Sequence, residues 1–443
     1  MITELKIKNL FGQFNYALAF KGTGINIITG PNGFGKSTIL KIIESIVEKD
    51  LYELCQFPFE YLEVTTTNYS LKIEKLGENI IVNDCVLKLF SPRIMDNWHR
   101  RRGASLFEQI GPDTVVDLRH DRILSYDEYL TLTHKNVEED LISDKLIYLN
   151  YEQAKAAKKE RTLYKNLQKY IDLFRQDVGK IKFIKEQRLI RQETERERYY
   201  SSENKTKVIE VITELPFKMK AQIKDVVLKY SETSSKLDNS FPSRLFEAEK
   251  TITQDEYLHA LGNIILQQEK MQDYNLIKDL HLVSISGFKQ EHSKALKVYI
   301  DDTIEKIAVY NNLIKKLDIF VKTINSKLYN KKIKVSSEFG LKVVENNGDE
   351  KELELNKLSS GEQQIIVLYY ELIFEMTDKM VLLIDEPEIS LHVAWQRTLM
   401  EDLNKIIGLK EDSLSVIVAT HSPQVINNNW NDIIDLGEQN ARV

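Results

Sequence analysis

Gly30-Pro31-Asn32-Gly33-Phe34-Gly35-Lys36-Ser37 decides how this chain is read. It matches the phosphate-cradling pattern G-x-x-x-x-G-K-S/T at every defined position. Glycines at 30, 33 and 35 let the backbone wrap a diphosphate with its N–H groups turned inward. The setting adds weight to the match. Gly24–Thr29 before the loop is an apolar strand, and Ser37 to about Lys49 after it carries Ile39, Ile42, Ile43 and Ile46 at helical spacing. Strand, glycine loop and helix in that order aim the partial positive charge of a helix N-terminus at the anion. Gly30, Asn32, Gly33, Gly35 and Thr38 are therefore expected around the phosphates, with Lys36 reaching the β and γ groups and Ser37 ligating Mg2+. The same order implies an α/β fold.

The matching pieces lie at the far end of the chain. Val381-Leu382-Leu383-Ile384 reads as a buried strand that delivers Asp385-Glu386 at its end, and Ser415–Thr420 as a parallel strand delivering His421. Asp385 is expected to hold the Mg2+ shell and Glu386 to polarise the attacking water as general base. His421, beside them, is expected to contact the γ-phosphate or the water. Leu358-Ser359-Ser360-Gly361-Glu362 precedes a helix with apolar residues at 365, 368, 369, 372, 373 and 376. A serine cap plus a glycine at a helix start is a second anion-binding device. Two such devices for one triphosphate suggest that each serves a different molecule.

At 443 residues, 42% of them hydrophobic, the chain has room for two or three domains, and no apolar run is long enough to cross a bilayer. Cys55 and Cys85 are the only cysteines and form no C-x-x-C pair, which argues against a zinc or disulfide framework and for the cytoplasm. A net charge of -6 provides no global field for DNA. Two local runs, Trp98-His99-Arg100-Arg101-Arg102 and Lys155, Lys158, Lys159 and Arg161, are either phosphate-backbone contacts or solvated faces. Phe11, Phe14 and Tyr16 either stack on a nucleotide base or pack in the core.

Along the chain, a small antiparallel sheet is expected over about 60–90 and mostly helix over about 105–178. Lys180–Lys185 reads as a short strand ending near Gln187, and few-glycine helices follow to about 330. Within these, Ile307, Tyr310, Ile314, Leu317, Val321, Ile324 and Leu328 keep a 3-4 spacing. They form either one helix of a short antiparallel stalk or an amphipathic helix in a globular insert. Strands return over 331–356, with a hairpin turn at 346–348. The expected division is thus 1–189, a helical insert 190–330, and 331–443, the outer parts making one nucleotide-binding domain.

In order and wording, these motifs resemble the ABC-type ATPases of the SMC, Rad50, RecF and OLD group. Asp385-Glu386-Pro387-Glu388-Ile389-Ser390-Leu391-His392 and Ala419-Thr420-His421-Ser422-Pro423-Gln424 resemble, more narrowly, OLD-like AAA ATPases of prokaryotic anti-phage systems such as PARIS and Septu. The resemblance covers the first 50 and last 90 residues. It implies an ABC-type head in which a mixed sheet, flanking helices and a small antiparallel sheet are interrupted by a helical insert. It also implies a head-to-head dimer or higher oligomer in which Ser359, Gly361 and Glu362 of one protomer contact the ATP of the other. Gln187 would then ligate Mg2+, and Ser390-Leu391-His392 would cross the dimer interface. The expected activity is slow, dimerisation-dependent ATP hydrolysis, with a separately encoded nuclease or toxin as effector. A DNA-clamping repair ATPase and an ATP-holding scaffold are the alternatives. Neither the OLD nucleases' Toprim domain nor the Rad50 Cys-x-x-Cys hook is expected from this sequence.

Overall fold

Strand β3 (Gly24–Thr29), which feeds the glycine loop, is an inner strand of a five-stranded sheet ordered β11 (Lys180–Ile184), β17 (Met380–Asp385), β18 (Leu414–Ala419), β3 and β19 (Ile433–Asp435). The computed structural model describes the chain except for residues 49–53, 77–78, 84, 89–106, 112–113, 118–121, 126–168, 195–205, 278–287, 347, 349, 378, 409–413, 428, 431–432 and 442–443. Within this sheet β17, β18, β3 and β19 run parallel. Every residue of β17 and β18 is buried, as continuous apolar runs require when both faces of a sheet are covered. Helix α1 (Lys36–Glu48) sinks Ile39, Leu40, Ile42, Ile43 and Ile46 into the same core.

A second sheet, ordered β2 (Phe14–Ala19), β1 (Ile2–Leu10), β4 (Tyr61–Thr66), β5 (Ser70–Leu76), β6 (Asn79–Val82) and β7 (Cys85–Lys88), is antiparallel throughout. Its strand β4 alternates throughout, while β1 and β5 alternate over residues 5–7 and 71–73. Leu5, Ile7, Leu62, Val64, Leu71 and Ile73 face the core. Lys6, Glu63 and Lys72 stand in register on the opposite face and pair at 3.6 and 3.5 Å. Period-two patterning thus places this sheet with one face on the core and one in water. These two sheets belong to the first of two units, formed by 1–183, 378–387 and 410–443.

The second unit comprises 184–377 and 388–409. It contains helices α2 (Val211–Glu247), α3 (Gln254–Asp273), α4 (Ser293–Ala308), α5 (Asn311–Asn325), α6 (Ser360–Phe374) and α7 (Val393–Ile407), with a three-stranded sheet β14-β15-β16 (Lys331–Ser336, Gly340–Glu345, Glu352–Leu353). Helices α2 and α3 both pack on α4. Arg244 of α2 grips both carboxylate oxygens of Asp302 on α4, and Lys306 Nζ lies 2.6 Å from Asp238. A buried network joins the turn after α5 to α6 and α7. Tyr369 donates to Asp402 at 2.5 Å, and Lys327 pairs with the same carboxylate at 2.9 Å.

The structure departs from the sequence reading in three places. The apolar run 307–328 is not one stalk helix. Helix α4 ends at Ala308, residues 309–310 turn, and α5 begins at Asn311. The spacing survives the break because Ile307, Tyr310, Ile314, Leu317, Ile324 and Leu328 are all buried in the same globular unit. Residues 107–125, expected to be helical, hold three short antiparallel strands (Phe107–Gly111, Thr114–Asp117, Arg122–Ser125). There Thr114-Val115-Val116 follows its β-branched preference rather than the surrounding charge. The segment after 189 opens with a hairpin, Ile190–Thr194 against Thr206–Glu210, before its helices begin. Trp98–Arg102 and 155–161 lie outside the described residues.

Candidate functional site

The glycine loop leaves β3 and enters α1 as its motif demands. Gly30, Gly33 and Gly35 hold φ of 147°, 87° and 86°, conformations that side chains rarely adopt. Lys36 is 5% exposed. Its Nζ arches back over the loop, donating to the carbonyls of Gly30 at 3.0 Å and Pro31 at 3.3 Å. It also stands 3.8 Å from Glu386 Oε1. Asn32 and Gly33 are exposed on the loop, and Thr38 is half-buried on α1.

Parallel pairing of β17 with β18 puts Asp385 beside Ala419, so both strands release their functional residues at the same end. Asp385 is buried, and its Oδ1 accepts a 3.0 Å hydrogen bond from Ser37 Oγ. Glu386 then takes a left-handed turn, φ 43°, while its N–H donates to Ala419 O at 2.9 Å. That turn brings Glu386 Oε2 to 2.5 Å from His421 Nδ1. The Glu386 side chain is 11% exposed and that of His421 52%. A carboxylate sheltered from water is thus flanked by an ammonium and an imidazole. Such a group can accept a proton from a water held against a phosphate. Lys36, Ser37, Asp385, Glu386 and His421, widely spaced in sequence, come together in the first unit.

Two features of this unit were not read from the sequence. Phe14 and Tyr16 are buried and hold the loop itself: Tyr16 Oη donates to Phe34 O at 2.8 Å, and the Phe14 and Phe34 rings meet at 5.1 Å. Phe11 alone of the three aromatics is exposed. Short strand β19 and the helix after it, α9 (Leu436–Ala441), back the start of the loop. A Cβ at Gly30 would come 3.1 Å from Leu436 Cβ, and one at Gly437 3.8 Å from Pro31 Cδ. Only the apolar pair Ile433-Ile434 signalled this strand, too briefly to stand out.

In the second unit Ser359 caps α6 in a reciprocal box. Its Oγ accepts from Glu362 N at 3.4 Å, and Glu362 Oε2 accepts from Ser359 N at 2.9 Å. Lys331 Nζ clamps the same carboxylate at 2.7 and 2.9 Å. Burial pushes the Glu362 carboxyl up, but the bonds from Lys331 and Ser359 together hold it below its ordinary value. Glu362 therefore fixes the cap as an anion. Gly361 is required by a close approach, since a Cβ there would lie 2.7 Å from Ser390 O. Ser390 is itself left-handed, φ 61°, and His392 Nδ1 caps α7 by accepting from Ala394 N at 3.2 Å. The signature turn and the 390–392 loop are one packed piece.

Gln187, also of this unit, is exposed. Its neighbour Arg188 is 5% exposed, and burial brings its guanidinium down to about 10 against the opposing pull of Glu371 and Glu388. Nothing in its charged sequence surroundings distinguishes this arginine.

The family model of the AAA ATPase domain matches residues 1–426. Comparison with curated proteins finds no match. Among solved structures, the chain is similar to a Smc head domain with an extended coiled coil, bound to the C-terminal domain of ScpA, from Pyrococcus furiosus. That pair is 12% identical, covers 98% of this chain and 92% of the other, and has a TM-score of 0.37. The SMC head domain from Thermotoga maritima is 11% identical over 96% of this chain and 90% of its own, with a TM-score of 0.33.

Proposed function

This chain belongs to the AAA ATPase domain family, and from that membership we propose that it is an ATP-driven dimeric switch. ATP would bind along Gly30–Ser37, with Lys36 moving from the loop carbonyls onto the β and γ phosphates. Ser37 Oγ and Asp385 Oδ1, hard oxygen donors 3.0 Å apart, fit Mg2+. When bound, the ion neutralises charge on the phosphates. Glu386 takes a proton from water as its oxygen bonds to the γ-phosphorus and the bond to ADP breaks. His421 Nδ1, 2.5 Å from the carboxylate, keeps it oriented. The convergence of Ser37, Asp385, Glu386 and His421 on one end of a parallel sheet carries this reading.

Dimerisation is supported by the second anion-binding device. Ser359 and Gly361 would meet the γ-phosphate held by a partner subunit, with Ser390–His392 crossing between them. Gly361→Ala, which forces the 390 loop away, is expected to lower turnover about tenfold to a hundredfold while ATP affinity stays within about twofold. Steady-state rates and calorimetric binding read the two effects separately. The resemblance of 385–392 and 419–424 supports a place as the regulatory subunit of an anti-phage system, acting on a separate nuclease or toxin.

The deciding experiment measures phosphate release and mass in solution, with and without ATP. ATP should be hydrolysed and should shift the chain to a dimer or larger assembly. Lys36→Ala should weaken ATP binding at least about tenfold. Hydrolysis undiminished in Lys36→Ala would remove the phosphate loop from the chemistry, and a monomer at saturating ATP would remove the switch.

A further inference from the structure

Packing alone leaves one atom near the phosphate loop unexplained. Tyr16 lies on β2 (Phe14–Ala19) at 3% exposure, its ring stacked on Phe14 at 5.9 Å. A phenylalanine would fill that space equally well. The hydroxyl is the additional group, and it donates to Phe34 O at 2.8 Å, between the second and third glycines of the loop.

We propose that Tyr16 is a positioning residue of the nucleotide site, holding the peptide between Phe34 and Gly35 in the one orientation that presents the Gly35 N–H to phosphate. The inference rests on the ATP-binding reading above. It follows from peptide geometry. In a trans peptide the carbonyl and the next N–H point in opposite directions, and the described residues contain no cis bond. Drawing the Phe34 carbonyl towards Tyr16 therefore turns the Gly35 N–H the other way, away from the Tyr16 ring. Holding is needed because the loop is built from glycine. Gly35 has no Cβ to oppose rotation about its φ, so the freedom that lets the loop wrap an anion also lets this peptide turn over. A reversed peptide would present a carbonyl oxygen to the phosphates in place of a donor. Burial pushes the Tyr16 hydroxyl up to about 12, so the donated proton is retained throughout the neutral range. The tilted contact of Phe14 with Phe34 steadies the side chain but does not select the carbonyl's direction.

The test uses the full chain and calorimetric binding of ADP. Tyr16→Phe is expected to weaken ADP about tenfold, with the melting temperature little changed. Phe34→Leu, which keeps the carbonyl and loses the ring contact, is expected to bind within about twofold of the parent. Unchanged ADP affinity in Tyr16→Phe, or a fall in melting temperature alone, overturns the proposal, because either result gives the hydroxyl a merely structural role. Equal losses in both variants also overturn it, since ring packing would then shape the loop. A parent chain that does not bind ADP, or binds it as well with Lys36→Ala, removes the nucleotide reading itself. Tight parental binding that is lost in Lys36→Ala and kept in Tyr16→Phe removes only the role of Tyr16.

Discussion

Glu386→Gln is expected to slow ATP hydrolysis at least about a hundredfold while ATP affinity stays within about twofold. The substitution keeps the size of the side chain and its reach towards His421 Nδ1, 2.5 Å away in the parent, but removes the basicity needed to take a proton. Backbone strain is not introduced, because the turn at φ 43° is anchored by the N–H to Ala419 O, which the substitution leaves in place. Affinity should persist because the phosphate contacts reside in Gly30–Ser37 on a different element. Single-turnover measurement of phosphate release separates the chemical step from binding and product loss. A slowing of less than about tenfold would take the role of base away from Glu386 and leave His421 as the group to examine. The same variant, loaded with ATP and unable to discharge it, should accumulate as the larger assembly, which light scattering can follow.

Gly340→Ala is expected to destabilise the fold by about 3 kcal/mol or more, through two named causes acting at one atom. Gly340 has φ 75°, where an alanine is strained in any surroundings. Its new Cβ would also overlap the carbonyl oxygen of Pro216 on α2 and lie 3.2 Å from the N of Lys220. Both obstacles are backbone, so no side-chain rotation relieves them. Pro216 sits inside α2, and β15 packs along that helix at this point. Accommodating the methyl means moving either the helix or the β14–β15 turn, and both carry buried residues (Met219, Ile223, Leu341, Val343). Urea denaturation followed by circular dichroism reads the change. A loss below about 1 kcal/mol would show that helix and hairpin do not approach as closely as placed here.

What could be read from the sequence was what chemistry constrains by residue type. The glycine loop needs glycine, lysine and serine at fixed spacing, and the strands that deliver Asp385 and His421 need unbroken apolar runs. Their observed ends, Asp385 and Ala419, fall where the acidic pair and Thr420-His421 begin. The alternating strands of the antiparallel sheet were equally plain. The break at 309–310 was hidden because no glycine or proline marks it and Tyr310 is as buried as the helical residues around it. The 190–210 hairpin was masked by charge: Arg191, Gln192, Glu193 and Thr194 carry no apolar alternation, although the backbone ladder pairs them with 206–210. Arg188, and the loop-holding role of Tyr16, depend on what each side chain meets across long stretches of chain. Local pattern carries no record of that.

The parallel pairing of β3 with both β18 and β19 also sets the order in which this protein is able to mature on the ribosome. The strand that carries the phosphate loop emerges among the first thirty or so residues, yet it lacks its sheet neighbours until synthesis has passed Asp435. Until β18 has been made, Ile25, Ile27 and Ile28, buried in the finished fold, have no native strand on either side. Pairings of such long sequence separation form slowly, and unpaired apolar edges invite wrong partners. The nascent chain is therefore unable to complete its nucleotide site until β18 and β19 have both been made.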